Sequence, residues 1–121
     1  MTQLQFRMAA LSGLAGLALL AGAARADDGH GKHGHDFPKD VDALHAVIAP
    51  LWHSPSGADR SRQTCRQVAT MERLANEVRS ADARPIGKAI AELKARCKTS
   101  PRDIDAEFVK VHDAFHDLAG H

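Results

Sequence analysis

Four stretches of the chain repeat apolar residues at intervals of three and four, and proline- or glycine-bearing breaks separate them. Val41, Leu44, Ile48 and Leu51 make the first set. Cys65, Val68, Met71 or Glu72, Ala75 and Val78 make the second, within a helix expected from about 59 to 79. Ile86, Ala89, Ile90, Leu93 and Cys97 make the third, expected over about 83 to 98, and Ile104, Phe108, Val111, Phe115 and Leu118 the fourth. At 3.6 residues per turn such spacing lines each set along one helix face. The intervening stretches, "HSPSG", "SADARP" and "TSPRD", are turn formers. Four amphipathic helices with short connections imply an all-α domain, an up-down-up-down four-helix bundle over residues 37–121.

Local signals refine the ends. Asp36 is placed to cap the first helix, with Pro38 in its first turn. Pro50 lacks an N–H and should kink or end that helix. Ser100, Pro101 and Asp103 read as the start of the fourth helix, with Ser100 as its cap.

The leading 26 residues have a different character. Arg7 precedes an apolar stretch from Met8 to Ala23, and Ala24-Arg25-Ala26 matches an A-x-A cleavage site. That is the pattern of a secretory signal peptide, and the stretch is short for a retained membrane anchor of ~20 residues. Residues 27–36, opening "DDGHGKHGH", carry no apolar residue to pack and read as a disordered histidine-rich arm.

Without Arg7 and Arg25, the 16 basic residues become 14 against 15 acidic ones, a net charge of −1. Nucleic acid, which selects a basic excess, is not an expected partner. Five arginines on the second helix (Arg60, Arg62, Arg66, Arg73, Arg79) read as a solvated face. Tyrosine is absent and Trp52 is the single tryptophan, so the core must be largely aliphatic. In an exported chain the two cysteines, Cys65 and Cys97, are expected to form a disulfide. They lie near the start of helix two and the end of helix three, which meet if those helices run antiparallel.

All eight histidines follow residue 26. His112 and His116 are four apart and so share a helix face. If helices one and four are antiparallel neighbours, His45 approaches the same region. Three neutral imidazoles from two helices suit Zn, Cu, Ni or Co. His30, His33 and His35 form an auxiliary set on the arm. Asp42, Asp113 and Asp117 are available as a further ligand or as acceptors that orient the rings. His53 lies ~12 Å of helix rise beyond His45 and reads as structural or exposed. Residue 113 is Asp, so H-x-x-x-H here is not the metalloprotease pattern, and no nucleophile is paired with a base. An enzyme is not expected.

With its export signal, all-helical pattern and the H-x-x-x-H of His112 and His116, the chain resembles the small exported helical proteins of bacterial heavy-metal resistance, periplasmic nickel and cobalt sensors among them. The resemblance implies a periplasmic protein that binds a divalent transition metal. A looser similarity connects it to soluble four-helix cytochromes. C-x-x-C-H is absent, which leaves only a b-type haem held by His112 or His116. The expectation is therefore metal buffering, delivery or sensing through His45, His112 and His116. The alternatives are an interaction or regulatory bundle with incidental histidines, or a b-type haem protein.

Overall fold

A computed structural model describes residues 36–120. The expected signal peptide, the arm with His30, His33 and His35, and His121 lie outside them. The described residues form four helices and no strand: α1 (Lys39–Trp52), α2 (Ala58–Glu77), α3 (Arg84–Thr99) and α4 (Asp105–Ala119). α1 packs against α2 and α4, and α3 against α2 and α4. The shared core holds Val41, Leu44, Ile48, Met71, Ile86, Ile90, Leu93, Ile104, Phe108 and Val111, all essentially sealed from solvent. The stripes of α1, α3 and α4 are the ones that the periodicity picks out. On α2 the buried face is shifted toward the N-terminus, where Ser61 and Thr64 are buried and Cys65 is only half-buried.

The α2 shift follows from what covers that end. The segment between α3 and α4 folds across it. Ser61 Oγ donates to the Arg102 carbonyl at 3.5 Å, and Cys65 is bonded to Cys97, with Cα atoms 5.6 Å apart. A small hydroxyl fits under a passing backbone where a larger side chain would not. The same segment corrects the expected start of α4. Ser100 is not its cap; Ser100 to Asp103 closes a turn, with the Asp103 N–H donating to the Ser100 carbonyl at 3.0 Å. Arg96 takes the Asp103 carboxylate at 2.8 Å and the Asp103 carbonyl at 2.8 Å. Asp103 is thereby turned toward α3, and the helix begins only after Ile104 is buried.

α1 likewise starts without a side-chain cap, Pro38 standing at its N-cap where Asp36 was expected to act. Asp40, in the first turn, does a different job. Its carboxylate accepts from the Ser80 hydroxyl (2.6 Å), the Arg79 N–H (2.7 Å), the Ser80 N–H (2.9 Å) and the Val41 N–H (3.0 Å). These bonds hold the α2–α3 connection against the head of α1, and they push the Asp40 carboxyl far below the usual range, the Ser80 hydroxyl most of all. Pro50 does not break α1 at once; the helix continues to Trp52 and ends within a turn, where Ser54 Oγ donates to the Pro50 carbonyl at 2.8 Å. Gly57, at φ 138°, occupies a backbone region closed to other residues at the entrance to α2. No described helix is long and apolar enough to cross a membrane.

Candidate metal centre

The seam between α1 and α4 is the least intimate of the four helix contacts. Its chemistry explains why. Phe37, His45 and Trp52 from the α1 side meet Phe108, His112 and Phe115 from α4, and these flat rings hold the two backbones apart. A cavity of about 180 Å³ remains, lined by Phe37, His45, Ile48, Ala49, Trp52, His53, His112, Phe115 and His116.

His112 and His116 stack as their spacing requires. Their Nε2 atoms are 3.1 Å apart and the rings are steeply inclined, at 70°. Two nitrogens bonded to one metal at about 2.0–2.1 Å stand roughly 2.9 Å apart at a right angle and 3.4 Å at the tetrahedral angle. The observed separation falls between these, so the pair already has the span of a bidentate clip.

His112 is the better fixed of the two. Its ring lies on Trp52, centroids 3.7 Å apart and planes 13° from parallel, and its side chain is 22% exposed. Its Nδ1 faces Asp113 Oδ1 at 3.3 Å. A carboxylate only accepts, so this contact favours the tautomer with the proton on Nδ1, in which the Nε2 lone pair is the one on the side of His116. His116 is exposed and lies in the last turn of α4, where the helix dipole favours positive charge. Trp52 is itself braced. It meets Phe108 edge to face at 5.7 Å, and the Arg60 guanidinium lies 5.9 Å from its centroid while pairing with Asp105 at 2.7 Å.

His45 is half-buried on the same cavity. It stacks on Phe115 at 5.3 Å and meets Phe37 edge to face at 5.1 Å. The three imidazoles expected to converge at one end of the bundle all line this cavity. Among the described residues no three His, Cys, Asp or Glu side chains stand in a metal-holding group. Of the candidate carboxylates, Asp113 orients His112, whereas Asp117 lines a separate surface depression beside Asp82 and Pro85.

Among the lining residues that the search for metal ligands does not pick out are Trp52 and His53. The signal was present: His45, Ile48, Ala49 and Trp52 follow one another at three, one and three, a single helix face continuous with His53. The chain matches no known protein family, no curated protein and no solved structure.

Proposed function

We propose that the protein is an exported transition-metal-binding module, which holds a divalent ion of the Cu, Ni, Co or Zn type on the His112–His116 clip for buffering, delivery or sensing. The observation that carries this reading is the 3.1 Å separation of the two Nε2 atoms at the wall of an imidazole-lined cavity. A sphere of 180 Å³ is only about 7 Å across, so an ion held there at about 2 Å from the pair shares a small cavity with His45, the third nitrogen of this reading. The size of the cavity favours an ion over a porphyrin, since pockets for even drug-sized molecules run to roughly 300–1,000 Å³.

The reading includes the up-down-up-down order, supported by the pairing of Phe37 with Phe115 and of Trp52 with Phe108 at opposite ends of α1. It includes a signal peptide over 1–26, a periplasmic destination, no catalysis, and capture of loosely held metal by His30, His33 and His35. Calorimetric titration with each of the four metals tests it. The chain bearing His30, His33 and His35→Ala retains one tight site, and a further His112→Ala removes it. Equal affinity with and without His112 rules out the clip.

A further inference from the structure

Four histidines lie among the described residues, and all four line the α1–α4 cavity. The metal reading above uses three of them. We infer that the fourth, His53, is an outer ligand through which an ion is loaded onto and released from the His112–His116 pair, with His45 as the inner ligand of the resting site. This inference rests on the metal reading.

The placement of the rings argues for an exchange rather than a joint grip. His45 and His53 are eight residues apart on α1, ~12 Å of rise, so an ion seated against one of these rings is farther from the other. The clip shares its cavity with both: His112 rests on Trp52, the residue before His53, and Phe115, the residue before His116, carries the stacked ring of His45. The two outer rings also differ in access. His45 is half-buried and held against Phe37 and Phe115, whereas His53 is exposed, at the C-cap of α1 where the turn to α2 begins. The C-terminal end of a helix attracts cations, and His53 stands at that end of α1. An incoming ion meets His53 first. The bond to His53 then breaks as the bond to His45 forms, the clip keeps hold throughout, and no electron changes hands.

The roles separate in a kinetic experiment on the full chain carrying His30, His33 and His35→Ala. Cu(II) alone is the probe, Trp52 fluorescence quenching reports loading, and excess EDTA drives release. His53→Ala, with His53→Gln as a second variant, slows loading and release together by about tenfold while Kd stays within about threefold; His45→Ala raises Kd by about tenfold or more. Loading and release at the parent rates in both His53 variants overturn the inference and leave the clip standing. A rise in Kd for His53→Ala equal to that for His45→Ala also overturns it, because His53 is then a resident ligand. Undiminished Cu(II) binding in His112→Ala overturns the metal reading itself, and this inference with it.

Discussion

At His112 a single imidazole is held in one orientation. Three neighbours fix it: the face of Trp52, the Asp113 carboxylate at Nδ1, and His116 at Nε2. Removing Trp52 should loosen the ring without deleting a donor. Trp52→Leu is therefore expected to weaken metal binding by about tenfold, the scale of losing an orienting contact, against near-complete loss in His112→Ala. Calorimetry on the two variants checks the ranking, and equal losses would mean that Trp52 carries more than orientation. Asp40 is the second residue whose chemistry sets a measurable property. Its folded carboxyl is held below the unfolded value of about 4, so its four hydrogen bonds stabilise the fold above that pH. The contribution fades as acid protonates the folded form. Asp40→Asn should be less stable than the parent at pH 7, and the gap should narrow below about pH 3. Urea melts at both pH values read this out; a constant gap would contradict it.

At the scale of elements, the Cys65–Cys97 bond ties α2 to α3 covalently, beyond their shared core and the surface ion pair of Glu72 with Lys94 at 2.5 Å. The bond closes a separation of 32 residues in sequence. Replacing both cysteines by serine is expected to cost about 3 kcal/mol, a Tm lower by some 15 °C. Reductant should lower the parent's Tm similarly and leave the double variant unmoved. The helices and this bond were legible in the sequence because both follow from simple rules: periodicity for Val41 to Leu51 or Phe108 to Phe115, and one pair of cysteines at helix ends that antiparallel packing would bring together. What was not legible depended on partners distant in sequence. Ser100 has every mark of a cap, yet Arg96 draws Asp103 away. Ser61 looks like a surface residue until the Arg102 backbone crosses it. The clip was readable, as His112 and His116 lie one turn apart. The ring contacts that hold His45 were not, because they depend on Phe37 and Phe115 packing around it.

For the whole molecule, the aromatic seam has two consequences: it holds α1 and α4 apart, and it lines the opening with imidazole. An ion bridging α4 to α1 would tie that loosest contact together. Binding to the folded state alone adds about 2.7 kcal/mol at a hundredfold excess over Kd, so saturating metal should raise Tm by some 10–20 °C. The rise should shrink as pH falls and protons compete for the nitrogens. Thermal melts with and without metal at two pH values check both statements, and a metal-independent Tm contradicts them. The most direct test is X-ray absorption of the Ni(II)- or Zn(II)-loaded protein carrying His30, His33 and His35→Ala, beside the same chain with His112→Ala. Imidazole clip binding predicts a shell containing at least two histidine nitrogens at about 2.0–2.1 Å, reduced when His112 is removed. An oxygen-only shell, or one identical in the two proteins, would contradict the assignment of His112 and His116 as ligands.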